Sequence, residues 1–142
     1  MKIKAILAAA LCSTALSFSA AHAQTVTYKI DLKASEEVPA NTSKGSGTAE
    51  VTYDPATKVL KWKVAYAGLT GPAIMGHIHG PAEPGKNASV VIPFSKAESP
   101  IEGSATLTDA QAADLTAGKL YVNIHTAENK GGEIRGQVAG GK

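Results

Sequence analysis

Cysteine is almost missing from this sequence. The single one, Cys12, lies in an apolar stretch near the N-terminus, where Ala10 and Leu11 precede it in place of the small residues of a lipoprotein signal. From residue 24 onward there is none. Disulfides, cysteine-ligated zinc, iron–sulfur clusters and thiol chemistry are thereby excluded from the folded part. Arginine occurs once, at Arg135, against thirteen lysines. No block of basic residues stands out, so nucleic acid and anionic membrane surfaces are not expected partners. After the first stretch no apolar run is long enough to span a bilayer. A nucleophile elbow, a glycine-rich phosphate loop, a carboxylate pair at glycosidase spacing, an internal repeat and a low-complexity block are all missing as well.

The N-terminal stretch itself has the form of an export signal. Lys2 and Lys4 make a positive start, Ala5 to Phe18 an apolar centre, and Ala21-His22-Ala23 a small-x-small cleavage site. The sequence thus predicts a signal peptide over 1–23, a mature domain over 24–142, and a periplasmic or secreted location. The leader holds two of the 14 basic residues and none of the 12 acidic ones, so the chain's net charge of +2 belongs to it. The mature 119 residues are neutral overall and numerous enough for one domain with a core of its own.

Alternation dominates that domain. Val26, Tyr28, Ile30 and Leu32 share one face of a strand over 25–32, and Leu60, Trp62, Val64 and Tyr66 one face of a strand over 59–66. The second of these pairs with 48–53 through a turn at Asp54-Pro55. Further short strands are expected at His77–His79, Val90–Ile92, Ser104–Leu107, Leu120–Thr126 and Glu133–Val138. Thr108-Asp109-Ala110-Gln111 reads as a capping box opening a two-turn helix that stops near Gly118. Glu36-Glu37-Val38-Pro39 and the Asn41–Gly47 stretch read as a polar loop. Seven or eight short strands and one helix predict an all-β fold, an antiparallel Greek-key β-sandwich.

Histidine is where chemistry concentrates. His77 and His79 alternate around Ile78, so on a strand both imidazoles point to one face, about 7 Å apart. His125 is the remaining histidine outside the leader and lies on the Tyr121/Asn123 face of its own strand. Two readings follow. The three are ligands of one transition metal, with nitrogens about 2.0–2.1 Å from the ion and an affinity that falls as pH drops through the usual histidine range near 6.5. Alternatively they are strand residues that hold turns together by hydrogen bonds. Met75, two residues before His77, is either a soft ligand favouring Cu(I) or a gap-filling apolar residue. Arg135 is expected either to contact an anion or to form a buried bridge to Glu37, Glu128 or Glu133. Asn123 and Glu133 are candidates for supporting contacts around the ion.

These same residues carry a family resemblance. Glu36-Glu37-Val38-Pro39, Gly68-Leu69-Thr70-Gly71, Gly76-His77-Ile78-His79-Gly80-Pro81-Ala82, Gly118 to Thr126 and Gly132 to Gln137 together resemble the chordin-type (CHRD) domain, over nearly the whole chain beyond the leader. The resemblance implies an extracellular β-rich domain. The cysteine-rich growth-factor modules that accompany such domains in animal chordin have no counterpart here. One departure is Asn129-Lys130, where the family often has proline; it is expected to affect the loop and not the histidines. A weaker similarity is to the copper/zinc superoxide dismutases, whose His-x-His strand, later strand histidine and C-terminal arginine fall in the order of His77, His79, His125 and Arg135. The bridging histidine, the other zinc ligands and the disulfide of those enzymes are lacking. The order copper ahead of zinc rests on that analogy. Three functions stay open: an exported metal-binding module, a non-catalytic interaction domain with an unknown protein partner, and a redox enzyme acting on superoxide or another small oxidant.

Overall fold

The computed structural model describes residues 23–142, and the expected signal peptide falls, apart from Ala23, outside them. In chain order the elements are β1 (Val26–Lys33), β2 (Ser46–Asp54), β3 (Val59–Ala67), β4 (Ala73–His79), β5 (Val90–Pro93), β6 (Ile101–Thr106), the helix α1 (Asp109–Thr116), β7 (Leu120–Thr126) and β8 (Ile134–Val138). A single 3-10 turn, Ala34–Glu36, follows β1. No described helix is long and apolar enough to cross a membrane.

Every strand pairing is antiparallel, and hydrogen bonding runs through one sheet in the order β5-β4-β7-β8-β1-β2-β3-β6. Hairpins make the β1–β2–β3 ladder, whereas β3 to β4, β5 to β6 and β6 to β7 cross from one end of the sheet to the other. This is the expected all-β, antiparallel arrangement with one short helix, rolled into a nearly closed barrel-like sandwich. Closure follows from packing. Trp62 on β3 lies over Gly103 of β6 and stacks on Phe94, just past β5, with ring centroids 5.2 Å apart. One side chain thus spans from the β6 edge to the β5 edge.

Inside the roll, the alternating apolar positions meet. Leu32, Val51, Leu60, Val64, Ile78, Ile101, Leu120, Val122, Ile124 and Ile134 are at most 1 % exposed. Each such side chain contributes about 1.5–3 kcal/mol by leaving water. The helix adds Leu115 to the core, and its N-terminus carries the capping box read from the sequence, with Thr108 and Gln111 bonding each other's backbone N–H groups. The strand expected from Ser104 begins instead at Ile101, because Ile101 to Thr106 all find partners on β3.

Because Ile78, Val122 and Ile124 point inward, their neighbours point out. On the outer face of β4, β7 and β8 the register places His79 opposite Tyr121, His77 opposite Asn123, Met75 opposite His125, and Asn123 opposite Arg135. An outer face would normally be solvated. Here it becomes a second, polar core, with His79, His125, Asn123 and Arg135 all buried. The 80–89 connection folds over it, through Lys86-Asn87-Ala88, and the 34–41 segment closes one side.

Candidate metal centre

Rigid strands hold the three histidines. Each offers a ring nitrogen, and the three nitrogens lie within 4.8 Å of one another. Nitrogens bound at about 2.0–2.1 Å to one tetrahedral ion are themselves about 3.3 Å apart, so modest ring rotations suffice to bring these onto a common centre. The ring centroids are 5.2 Å apart for His77 and His79, 4.8 Å for His77 and His125, and 6.2 Å for His79 and His125.

Backbone carbonyls set the rings. His79 Nδ1 lies 2.9 Å from the Ala88 carbonyl oxygen, and His125 Nδ1 lies 2.9 Å from the Lys130 carbonyl oxygen. A carbonyl oxygen only accepts, so His79 Nδ1 donates and its lone pair sits on Nε2. His125 has an acceptor oxygen at each ring nitrogen, the Lys130 carbonyl at Nδ1 and Asn123 Oδ1 at Nε2, and keeps its lone pair on Nε2 only with the Asn123 NH2 turned toward it. Such an N–H to carbonyl bond on the far side of the ring is the usual way a metal-binding imidazole is oriented. His79 Nε2 is buried and has no hydrogen-bond partner. A buried orphan lone pair is costly unless something electrophilic meets it. His125 Nε2 faces His77 Nδ1 at 3.0 Å and the Asn123 side chain at 2.9 Å. Three imidazole nitrogens with no competing carboxylate suit copper or zinc and not calcium or magnesium.

Protons compete weakly here. Burial lowers the pKa of His77 to about 4, with the nearby His125 and His79 rings adding to the effect. Burial also lowers that of His125, against the hydrogen bond to Lys130, which raises it. Both rings are neutral at pH 7, as ligands must be.

The support around the histidines is a stack. The Tyr121 ring lies parallel to His79, with centroids 4.8 Å apart, and the Arg135 guanidinium sits 3.4 Å from the Tyr121 centroid. Arg135 and His79 come from the strands on either side of Tyr121. The guanidinium donates to Asn87 Oδ1 at 3.1 Å and to the Lys86 carbonyl at 2.7 Å, while Asn87 donates to the Val38 carbonyl. Ala88 accepts from Tyr121 as well as from His79. Arg135 thus pins the loop whose carbonyl orients a histidine.

This corrects two expectations. Arg135 is buried but makes no carboxylate bridge: the ion pairs among the described residues are Lys33–Asp31, Lys58–Asp109, Lys63–Glu102 and Lys119–Glu83. Glu128 is exposed, and Glu37 acts on the arginine only through its field. At 1 % exposure Arg135 is also shut away from an incoming anion. The loop at Asn129-Lys130 lies next to the histidines, its Lys130 backbone carbonyl meeting His125 Nδ1, a contact that does not depend on the side chain there.

Glu133 sits elsewhere. Its carboxylate accepts from Ser43, from the Thr70 hydroxyl and backbone N–H, and from Thr126, tying β7 to the 41–45 and 68–70 loops. Burial would raise its pKa, but these bonds outweigh that and bring it down to about 2. Met75 is on the histidine side of β4, 43 % exposed. Asn123 does join the site, through His125 Nε2.

Glu37, expected as a possible bridge partner of Arg135, belongs to this support in another way. The sequence puts it in a polar loop, yet it is 5 % exposed, with Oε1 unpartnered and its carboxyl close to the Asn123 side chain. Burial pushes its pKa up to about 7, only partly offset by the Arg135 charge. It packs over Gly132, whose φ of +129° and the absence of a side chain leave room for the carboxyl. The turn residues around it, Val38-Pro39 and Gly131-Gly132, carry the sequence signal of a close approach, though not of its partner.

No curated protein matches the chain, and no solved structure does. The family model of the CHRD domain matches residues 28–138, all eight strands but for the first two residues of β1, and the chain belongs to the CHRD domain family.

Proposed function

We propose that this CHRD domain is exported, by cleavage near Ala23, to the periplasm or the cell exterior, and there binds one transition-metal ion through His77, His79 and His125, copper ahead of zinc. The observation that supports this most is the orientation of His79 and His125. Each spends Nδ1 on a backbone carbonyl and turns Nε2 inward, and that of His79 is buried with nothing to bond. The bound ion would supply that missing electrophile. The all-imidazole donor set suits copper and zinc alike, and the order copper ahead of zinc comes from the likeness in histidine order to the copper/zinc superoxide dismutases.

The test is metal titration of the metal-stripped protein. One equivalent of copper or zinc should bind, and the His79→Ala and His125→Ala variants should each lose it while keeping the β-sheet circular-dichroism signal. Equal uptake by wild type and both variants would overturn the reading.

One observation favours a second reading. The 3.0 Å contact of His77 Nδ1 with His125 Nε2 is itself a good hydrogen bond. In that reading the domain is a non-catalytic interaction module and the bond ties β4 to β7. Wild-type protein that binds no metal, together with loss of stability in His77→Ala, would favour it.

A further inference from the structure

Resting on the metal reading above, we propose that the site takes copper as Cu(I), with the Met75 thioether as a fourth donor on its open side, and exchanges the ion through that side. The register carries the placement. Met75 is the Cα partner of His125 across β4 and β7 and stands two residues before His77 on the same strand face. Residues directly opposite in an antiparallel pair have Cβ atoms about 4.5–5.5 Å apart. The unbranched methionine side chain, with three rotatable bonds, covers that distance to the centre shared by the rings.

Packing gives Met75 no other employment. It is 43 % exposed on a strand whose inward residue Ile78 is 1 % exposed, so it fills no gap in the core. It is also the only methionine besides Met1. No carboxylate converges with the three ring nitrogens: Glu133 is held by Ser43, Thr70 and Thr126, and Glu37, though its Oε1 is unpartnered, packs on Gly132. Three imidazoles and a thioether form a soft set without a carboxylate, which matches Cu(I) better than Zn(II).

The site is also lopsided. His79 and His125 are 8 % and 6 % exposed and lie under the 80–89 loop, whereas His77 is half-buried and Met75 open. Ile74 and Val90, beside them, are exposed as well. An incoming donor therefore reaches the ion from the Met75 side without unfolding the loop.

The experiment uses metal-free full-length mature protein and its Met75→Leu variant, titrated anaerobically with Cu(I) against a chromophoric chelator and separately with Zn(II). The substitution keeps size and exposure, so folding is retained. The expected result is Cu(I) binding weakened by about tenfold or more, with Zn(II) binding unchanged. A sulfur scatterer should appear in the copper X-ray absorption spectrum of wild type and vanish in the variant. Release of Cu(I) from wild type should speed up as chelator concentration rises. Unchanged Cu(I) affinity with no sulfur scatterer, or release independent of chelator, overturns the proposal and leaves the three-histidine reading standing. Failure of wild type to bind either metal overturns both.

Discussion

His77 Nδ1 and His125 Nε2 lie 3.0 Å apart, on neighbouring strands and on one face of the sheet. Two bare lone pairs would repel at that distance, so one nitrogen holds a proton. His125 faces the Lys130 carbonyl at Nδ1 and Asn123 Oδ1 at Nε2, and its hydrogen stays on Nδ1 when the Asn123 amide turns its NH2 toward Nε2. In that arrangement the proton between the rings belongs to His77, which is the Nδ1–H tautomer in the metal-free protein. A metal that takes His77 Nδ1 must shift that proton to Nε2. Nitrogen-15 NMR of the imidazoles should show His77 as Nδ1–H without metal and as Nε2–H with copper or zinc bound, while His79 and His125 keep theirs on Nδ1. A His77 ring that is already Nε2–H in the metal-free protein would contradict this bonding scheme.

The proton competition follows from burial. His77 titrates near pH 4, below its ordinary value of 6.5. A group with a depressed folded pKa contributes stability that is present above its unfolded value and lost as pH falls through the folded one. Metal-free protein should keep the His77 contribution above about pH 6.5 and lose it progressively between there and about pH 4. At the His77 ligand, proton competition with the metal should likewise be weak at pH 5 and strong close to pH 4. The sequence alone placed that competition near 6.5, the value of a solvated ring. A competition titration at pH 7.5, 5 and 4 checks this, and a half-point near 6.5 would show that the rings are better hydrated than their packing implies.

Glu37 runs the other way. Its folded pKa is raised to about 7, so its contribution is complete below about 4.5 and lost as pH rises through 7. Glu37→Gln removes the titration. The variant should match wild type at pH 5 and exceed it at pH 8 by roughly 2 kcal/mol in urea denaturation, after allowing for screening. A gap of the same size at both pH values would mean that the carboxyl is ionised throughout.

Much of the fold was legible because alternation is a local signal. Thr25–Leu32, Val59–Tyr66 and Leu120–Thr126 each show one apolar face, and the capping box at Thr108 needs only four residues. The histidine set was legible for the same reason, since parity along a strand fixes the face. What escaped depends on contacts distant in sequence. Glu37 meets Gly132 and Asn123, and Ala88 and Lys130 act through carbonyls that every residue possesses, so no side chain announces them. Arg135 was legible as special, being the sole arginine, but its partners Tyr121, Lys86 and Asn87 are set by a loop crossing the outer face.

That crossing makes Arg135 testable. Arg135→Ala removes two charge-assisted hydrogen bonds and the guanidinium over Tyr121, and should cost about 3 kcal/mol or more. Arg135→Lys keeps the charge but not the planar fork, and should recover less than half. The loop should loosen first, so hydrogen exchange at the Ala88 amide should quicken in both variants more than exchange within β7. Full stability in Arg135→Ala would show that the loop is held by Tyr121 and His79 alone.

Glu133 separates structure from site. Three hydroxyls and the Thr70 N–H converge on its carboxylate, which joins β7 to two loops. Glu133→Gln puts an amide NH2 among donors, leaving at least one hydroxyl to turn away, and should cost about 2–3 kcal/mol at pH 7. With a folded pKa depressed to about 2, the wild-type contribution is present above about 4.5 and lost as pH falls through 2, so the gap between the two proteins should close at acid pH. Metal affinity should not change, because this carboxylate is bonded away from the histidines. If copper binding weakens in Glu133→Gln at a pH and temperature where the variant is fully folded, the carboxylate acts on the ion through a path that these hydrogen bonds do not contain.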